Sequence, residues 1–335
     1  MITVIRGRPC KGVALITVLL VLAVATVLAV TMSVQQQISI HRTENILYSN
    51  QAWQYVLGLE KWAIAVLEQD LKTNNTDSLL DKWNQGIPET EVTNGIIQAK
   101  ILDLQGFFNL NNLIINGEVS EVDLQRFSRL LEIQGLDQNI ANAVLDWIDK
   151  DTDSRFPGGA EDVIYMTRPE PYRSANGYFT DKSELMLVEG IDVEVYQKLA
   201  PHVVALPAYT PLNVNTATEM NLRLLLDDTS SARAAILIGE RQQAVIENLN
   251  EWLKHDVFAG SEISTSGLAT SSEYFLVEGA VQISNRRIRH KSKILRPANW
   301  PTSQPTSQPT SQPPGQSLGQ QAMVIQRMQK GLFDG

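Results

Sequence analysis

Residues 6–34 read RGRPCKGVALITVLLVLAVATVLAVTMSV. Arg6, Arg8 and Lys11 precede a stretch from Val13 to Ile40 that contains no charged residue. An apolar run of this length is sufficient for a helix that crosses a bilayer. Because basic residues mark the cytoplasmic end of such a helix, the sequence predicts a single-pass anchor with a cytoplasmic N-terminus and the main domain on the other side.

Two other interpretations of this segment compete with a processed anchor. A secretory signal peptide has a shorter apolar core followed by a small-x-small cleavage site, whereas here Gly12 stands before the core. A plain signal anchor accounts for the apolar run and for the flanking charge. It gives no reason for a Lys11-Gly12 pair at the boundary, but it stays open on the sequence alone.

The boundary itself, Lys11-Gly12-Val13-Ala14-Leu15-Ile16, resembles the type III leader of prepilins, a short basic leader that ends in glycine. The resemblance implies that a prepilin peptidase cuts after Gly12, methylates the new amine of Val13 and leaves the apolar helix on the mature protein. The only cysteine, Cys10, lies in this leader. The mature protein is therefore expected to contain no disulfide.

Thr17 occupies the fifth position of the expected mature chain, where most pilins carry glutamate. In the family's assembly scheme, that glutamate neutralises the N-terminal amine of the subunit ahead. A carboxylate in hydrocarbon is costly unless it is paired, and the first subunit of a filament has nothing ahead of it. Thr17 therefore favours a place at the filament tip. In lacking this glutamate, the chain resembles the minor pseudopilin K family. A merely tolerated threonine in a membrane helix is an equal alternative.

Beyond the membrane, the same helix is predicted to continue to about residue 72 as an amphipathic stem. Strands are predicted at residues 95–104, where Gly106 closes the strand, and in a hairpin over 272–297 that turns at Ser284-Asn285. The predicted fold class is α+β: a pilin-like long N-terminal helix packed on a small antiparallel sheet, with a large all-helical domain inserted between strands. The apolar stripe of the stem consists of Trp53, Val56, Leu57, Leu59, Ile64, Val66 and Leu67, and its polar positions include Glu60, Lys61, Glu68 and Asp70.

The insertion gives the resemblance its specificity, because such an all-helical insert sets the minor pseudopilin K family of type II secretion apart from smaller pilins. Thr216 and Thr218 are candidate N-caps, with Glu219 as a capping-box partner of Thr216. Helices are predicted at 122–131, 139–148, 182–188, 193–199, 217–226 and 231–238. The expected organisation is a leader (1–12), a transmembrane and stem helix (13–72), the first part of the pilin-like domain (73–108), the inserted domain with an acidic loop (109–271), a C-terminal hairpin (272–297) and a disordered tail (298–335).

Carboxylates crowd one loop of the insertion, between residues 146 and 162. Hard oxygen ligands with no nearby His or Cys suit calcium, which accepts six to eight oxygens in flexible geometry. The loop departs from an EF-hand, since its sixth position is Ser154 and its twelfth is Ala160. A polar loop of solvated acids stays open as the alternative.

Residues 146–176 and Ser183-Glu184-Leu185 resemble the minor pseudopilin K family, which binds calcium in this domain. The resemblance implies ligands among Asp146, Asp149, Asp151, Asp153, Glu161, Asp162 and Asn176. It also implies an inner-membrane anchor with a periplasmic main domain, and a role at the tip of the pseudopilus in export of folded periplasmic proteins. The implied partners are the minor pseudopilins I, J and H, the major pseudopilin G, the prepilin peptidase, and secreted cargo or the outer-membrane secretin.

Two other function classes are weighed against this one. Val188–Ile191 and residues 211–217 resemble helix-hairpin-helix modules, which would make the chain a membrane-tethered DNA-binding or DNA-uptake protein. The net charge of −9 disfavours a broad phosphate-binding surface, although it leaves room for a local basic patch. The hairpin also carries Asp192 in place of its usual second glycine. No nucleic acid partner is therefore expected, and scattered histidines without a hydrolase or phosphate-loop motif predict no enzymatic activity.

The C-terminal region begins with Pro-Thr-Ser-Gln repeats from Pro301, a composition that does not build a core. A short apolar patch, Met323-Val324-Ile325, lies beyond the repeats. We interpret the whole region as a free tail, with a tethered docking segment as the alternative.

Overall fold

The computed structural model describes residues 13–226, 231–260, 263, 265–297 and 322–332, with the backbone only for 329–332. The predicted leader with Gly12 and the repeats of residues 298–321 lie outside the described residues. The helices are α1 Val13–Leu71, α2 Glu121–Ile133, α3 Ile140–Ile148, α4 Asp162–Tyr165, α5 Val193–Leu199, α6 Glu219–Arg223, α7 Ser231–Arg241 and α8 Leu249–Trp252. The strands are β1 Ile87–Val92, β2 Gly95–Asp103, β3 Phe108–Asn109, β4 Ile114–Ile115, β5 Glu118–Val119, β6 Val203–Val204, β7 Leu212–Asn213, β8 Leu268–Ala269, β9 Tyr274–Ile283, β10 Arg286–Leu295 and β11 Met323–Leu332.

Helix α1 has two halves with different surroundings. Every residue from Val13 to Glu44 is exposed, and this half is long and apolar enough to cross a membrane. From Ala52 onward, one face of the helix is buried against the sheet at helical spacing, through Ala52, Val56, Leu59, Ala63 and Leu67. The predicted stem helix is therefore present.

Two stem residues differ from the prediction. Glu60 and Asp70 were assigned to the polar face of α1, but both are buried, with 3% and 8% of their surface exposed. Glu60 is buried because strands β10 and β11 supply polar partners to it, and Asp70 lies near the guanidinium of Arg296. Helical spacing alone does not reveal a charge that is neutralised from another element.

The sheet has five antiparallel strands in the order β1-β2-β9-β10-β11. Alternate residues of β9 point to opposite faces of the sheet, so Phe275, Val277, Val281 and Ile283 all pack toward α1. Gly279 lies on the same face, where a Cβ atom would come within 3.0 Å of Leu59 Cδ1. The glycine thus allows the stem to approach the centre of the sheet.

The two outer strands of the sheet were not predicted. Strand β1 reads IPETEV, whose proline and polar side chains are typical of an edge strand. Residues 323–332, interpreted from the sequence as part of a free tail, instead form β11 and pair with β10 along its length. That interpretation is wrong for these residues, because the unpaired backbone edge of β10 offers hydrogen bonds that a composition argument ignores.

The insertion leaves and rejoins the pilin-like domain at one end of the sheet. Strand β2 ends at Asp103, which pairs with Phe275 near the start of β9. Phe275 belongs to the same apolar cluster as Leu67, near the end of α1 that is remote from the apolar segment. The inserted domain is therefore attached at the membrane-distal end of the stem.

A buried polar network fastens the inserted domain to the sheet. Asp103 Oδ2 accepts hydrogen bonds from Thr216 Oγ1 at 2.5 Å, Ser272 Oγ at 2.6 Å and Asn213 Nδ2 at 2.9 Å. Arg296 donates to Asp77 Oδ2 at 2.6 Å beside this network. Carboxylates that accept several hydrogen bonds at a junction hold the joined elements in one arrangement.

The regular elements of the inserted domain are mainly helices, as predicted, and short strands accompany them. Short two-residue strands pair as β3 with β6, β4 with β5, and β7 with β8. Strands of two residues give no alternating sequence signal. The predicted capping box at Thr216 is also absent, because Thr218 caps α6 by accepting from Asn221 N at 3.2 Å while the hydroxyl of Thr216 serves Asp103.

Candidate metal centre

Helix α3 positions the start of the acidic loop. Its sequence IANAVLDWI is apolar except for Asn142 and Asp146, and Trp147 and Ile148 are buried in the core of the inserted domain. Asp149 follows directly as the C-cap residue, and the loop then returns to α4, with Glu161 at the position before its first residue. The two ends of the loop are thus held by packed helices.

Three carboxylates from this loop converge. One oxygen each of Asp149, Asp151 and Glu161 lies within 4.8 Å of the other two. Calcium ligands lie 2.3–2.6 Å from the ion, so two oxygens that share an ion are separated by no more than about 5 Å. The spacing of the three side chains therefore fits a single bound cation.

The hydrogen bonding of the same groups supports this fit. Within the described residues, both carboxylate oxygens of Glu161, Oδ1 of Asp149 and Oδ1 of Asn176 are buried and have no hydrogen-bond partner. Buried polar atoms in folded proteins are almost always satisfied. A hard cation would satisfy all four oxygens, and this donor set is the one that calcium prefers.

Electrostatics point to the same conclusion. Burial and then the nearby charges of Asp146, Asp149 and Asp151 raise the pKa of Glu161 to about 7. Burial also raises the pKa of Asp149. Several acids held together at low exposure resist ionisation unless a cation balances them.

Arg155 is a part of this site that sequence reasoning missed. Its Nη1 contacts Asp146 Oδ1 at 2.7 Å and also Asp149 Oδ2, and its backbone N–H donates to Asp146 Oδ2 at 3.1 Å. Both oxygens of Asp146 therefore already have partners. The available signal was the presence of Arg155, with Lys150 one of two cations in the acidic run of residues 146–162.

The Gly158-Gly159 pair makes the close packing of the loop possible. A Cβ atom at Gly159 would lie 2.3 Å from Asp146 Oδ2 and 2.4 Å from the carbonyl oxygen of Arg155. Gly158 has φ +79°, a conformation that L side chains rarely adopt. The glycine pair is thus required by the fold of the loop.

The remaining candidate ligands lie around the cluster. The Asp153 side chain is exposed, and its backbone N–H donates to Asp151 Oδ1 at 2.9 Å. Asp162 Oδ1 accepts from Ser174 N at 2.9 Å, which fixes the segment that follows α4. Asn176 approaches the loop through Nδ2, 3.5 Å from the carbonyl oxygen of Asp151. The structure therefore brings Asp149, Asp151 and Glu161 together, with Asn176 beside them and Asp146 beneath.

The two segments that resemble helix-hairpin-helix modules have structural roles. Gly190 adopts φ +78° in the turn before α5, and Glu189 Oε2 forms an ion pair with Arg168 Nη2 at 2.6 Å. In the second segment, residues 211–217, Asn213 Nδ2 donates into the junction network around Asp103. A negative side chain and a buried network are unsuited to phosphate contacts.

The fold and the acidic loop can now be compared with known proteins. A family model described as "Type II secretion system (T2SS), protein K" matches residues 106–208. A curated "Type II secretion system protein K" of Pseudomonas aeruginosa is 34% identical over 293 residues, which cover 84% of this chain and 87% of that protein. The chain belongs to the type II secretion system protein K family. The protein K of Klebsiella pneumoniae is 32% identical, over 84% of this chain and 91% of that protein.

Comparison with a solved structure shows that the similarity to protein K extends to the fold. A chain from "The Crystal Structure of the GspK-GspI-GspJ complex from enterotoxigenic Escherichia coli Type 2 Secretion System" has a TM-score of 0.69. It is 23% identical, and the match covers 87% of this chain and all of that one. The predicted α+β class and the predicted protein K family are both confirmed. The family is one of secretion-system pseudopilins and not a known family of enzymes.

Proposed function

We propose that this protein K family member is a minor pseudopilin at the tip of the type II secretion pseudopilus. There it initiates or caps assembly and supports export of folded periplasmic proteins across the outer membrane. The observation that carries the proposal is the attachment of the inserted domain at the membrane-distal end of α1, through Asp103 and Phe275. A further subunit stacked above this one would need the space that the inserted domain takes.

The exposed half of α1 supplies the assembly surface. Residues 13–44 extend beyond the globular part with all side chains exposed, as a stem requires if it is to pack among other stems. The partners proposed are the minor pseudopilins I, J and H and the major pseudopilin G. The solved complex of GspK with GspI and GspJ supports the first two of these. Contacts with secreted cargo or the secretin would then be made by the inserted domain.

Thr17 fits the tip position on chemical grounds. Its Oγ1 donates to the carbonyl oxygen of Ala14 at 3.0 Å, so its polar group is satisfied inside its own helix. A carboxylate at this point in a bilayer requires a positive partner from another subunit. The first subunit of a filament needs no such partner.

Membrane anchoring by the apolar half of α1 precedes assembly in this proposal. The prepilin peptidase cuts between Gly12 and Val13 and methylates the Val13 amine on the cytoplasmic face of the inner membrane. This cut leaves the described helix α1, Val13–Leu71, on the mature chain. The main domain then lies in the periplasm, in accord with the basic residues before the apolar run.

We also propose that the acidic loop holds calcium through Asp149, Asp151, Glu161 and the Oδ1 atom of Asn176. A bound ion supplies positive charge that permits these acids to ionise together at low exposure. The chain's own contribution is to fix the loop between α3 and α4, since Asp162 and Arg155 hold its two sides. The expected consequence is a more stable inserted domain.

Immunogold electron microscopy tests the tip position. Cells that overproduce the major pseudopilin are sheared to release filaments, and an antibody to the inserted domain is applied. One gold cluster at a filament end is expected. Gold distributed along the filament length would contradict the proposal, as would filaments of normal number in cells without this chain.

A further inference from the structure

Strand β10 is strongly basic in a chain of net charge −9. Residues 286–293 read RRIRHKSK. Because side chains alternate along a strand, Arg287, Arg289, Lys291 and Lys293 share one face of the sheet, opposite the face that packs on α1. Ile288 confirms this alternation, since it packs in the cluster beneath the stem.

The membrane-distal half of this basic row is covered. Lys293 is buried and donates from Nζ to the carbonyl oxygen of Ala205 at 3.3 Å. Tyr274 packs against Val204 and Leu206 of the inserted domain on the same side. The membrane-proximal half is open, and Arg287, Arg289 and Lys291 are exposed there.

Lys100 extends the open half across the sheet, since it faces Glu278 of β9, which in turn faces Lys291. We call Lys100, Arg287, Arg289 and Lys291 the cationic face. Glu278 is shared by two of these cations, with its Oε2 2.7 Å from Lys100 Nζ and its Oε1 in contact with Lys291 Nζ. One carboxylate therefore balances two lysines.

The two arginines of the cationic face have uncharged partners on β9, and on β11 Arg289 lies opposite a further cation, Lys330. Arg287 lies opposite Gln282, and Arg289 lies opposite Ala280. Within the described residues, neither arginine has an ion-pair partner. Like charges on one face of a sheet repel, and within the described sheet the ion pairs of Glu278 offset this repulsion at the two lysines but not at the two arginines.

A groove runs beside the arginines. Its volume is about 530 Å³, and the cationic face forms one wall of it through Lys100, Arg289 and Lys291. The start of β1 forms the other wall, through Ile87 and Pro88. The groove thus combines a positive rim with an apolar wall, as a site for an amphipathic acidic chain requires.

We propose that the cationic face docks a carboxylate-rich segment of a partner protein. Charge complementarity selects an acidic occupant. The lipid surface is remote: Ala52, which packs beneath the same sheet, lies 12 residues along α1 from Ile40, the end of the uncharged stretch, or about 18 Å, beyond the Debye length of about 8 Å. Nucleic acid is disfavoured by the overall negative charge of the chain.

The docking site goes beyond the proposed tip function and is separate from the calcium centre. Binding is measured by fluorescence anisotropy with a labelled oligoglutamate peptide and the full chain in detergent micelles. Charge reversal in R287E/R289E is expected to weaken binding by about tenfold, since two attractive contacts become repulsive. The milder R287Q/R289Q is expected to weaken binding by about half as much on a logarithmic scale. The thermal unfolding of both variants is expected to be unchanged.

The matched control is K61E/K72E, which reverses the exposed Lys61 of α1 and the exposed Lys72 directly after α1, both outside the cationic face. It is expected to bind the peptide as the parent does. Equal binding by R287E/R289E and the parent would overturn the proposal. Tighter binding of a single-stranded oligonucleotide or of anionic vesicles than of the peptide would overturn the assignment to a protein partner. Neither of these two results would change the immunogold labelling of the filament tip. Failure of the docking proposal is therefore distinguishable from failure of the proposed tip function.

Discussion

Arg327 donates two hydrogen bonds to Glu60, from Nε to Oε1 at 2.8 Å and from Nη2 to Oε2 at 2.9 Å. Glu60 belongs to the stem helix and Arg327 to β11, the last strand of the sheet. Glu60 also receives a hydrogen bond from Ser292 Oγ at 2.5 Å, and His290 Nε2 lies 2.9 Å from its Oε1. One buried carboxylate thus joins the stem to the last two strands of the sheet, β10 and β11.

Removal of this cation should loosen the terminal strand. R327A leaves the buried Glu60 with fewer partners, and we expect a loss of about 2 kcal/mol in the free energy of unfolding. Chemical denaturation of the full chain in detergent measures the change. The control is R289A, at an exposed arginine of β10, for which a change below about 0.5 kcal/mol is expected. Equal stability of R327A and the control would contradict the role of the pair.

The free energy of unfolding should fall as pH rises from about 4 to 7, because buried acids lie at the junction between the sheet and the inserted domain. Burial and the charges of Asp81 and Asp77 raise the pKa of Asp70 to about 7, and burial raises the pKa of Asp103 to about 6. The folded state then binds more protons than the unfolded state in this interval, which lowers the unfolding free energy with increasing pH. D70N should reduce this decline and be more stable than the parent at pH 8. Parallel pH profiles for D70N and the parent would contradict the prediction.

The opposite trend is expected at lower pH. Burial favours the neutral form of Glu60, but hydrogen bonds from Arg327, Ser292 and His290 outweigh it and lower the pKa of Glu60 to about 2. Its contribution to stability is therefore present above about pH 4.5 and is lost as pH falls toward 2. E60Q should flatten the acid limb of the unfolding profile, as followed by circular dichroism. An acid limb unchanged by E60Q would count against this assignment.

Removal of calcium should destabilise the inserted domain. EGTA is expected to lower the melting temperature of the full chain, and restored calcium is expected to recover it, since a ligand at a hundredfold excess over its Kd adds about 2.7 kcal/mol. E161Q should abolish the response, whereas D153N, at an exposed side chain outside the three-carboxylate cluster, should retain it. The proposal fails if the parent melts identically with EGTA and with calcium.

Processing should depend on Gly12 and not on glycine in the leader generally. G12V is expected to abolish cleavage and secretion while membrane insertion continues, because the apolar run is intact. G7V is the matched control, and it is expected to be cleaved normally. Mass spectrometry of the mature N-terminus, expected at a methylated Val13, measures both. A cleaved G12V protein, or a purified chain that starts at Met1, would contradict the prepilin assignment.

Loss of Asp103 should uncouple the inserted domain from the sheet. D103A leaves Thr216, Ser272 and Asn213 without their common acceptor, so a loss of about 3 kcal/mol or more is expected. Limited proteolysis should then cleave near residues 104–107 faster. E91A, at an exposed carboxylate on β1, should show the parent's cleavage pattern. Unchanged cleavage of D103A would contradict a fastening role for the network.

Periodic features of the chain were readable from the sequence, and isolated contacts were not. The stem was predicted because its apolar residues recur at helical spacing over many turns, and the β9–β10 hairpin because its alternation is long. The burial of Glu60 was missed because its partners lie more than two hundred residues away along the chain. Strand β11 was missed because the Pro-rich composition before it suggested a tail.

The acidic loop was predicted as a unit, and its internal geometry was not. The family resemblance implied seven candidate ligands, whereas the structure brings Asp149, Asp151 and Glu161 together. Asp146 was a reasonable candidate by type, but its oxygens are taken by Arg155. Which acid faces the centre of the loop depends on turn conformations, such as that of Gly158, that residue types alone do not specify.

The return of the chain to the sheet through β11 has a practical consequence. Leu295 and Met323 are cross-strand partners, so the segment between them starts and ends at neighbouring points. Adjacent strands are only about 4.8 Å apart, a gap that a two-residue turn bridges. A fluorescent label or affinity tag placed in residues 301–312 therefore lengthens a stretch of sequence that already has more residues than closure needs, and both strand ends are expected to stay where they are.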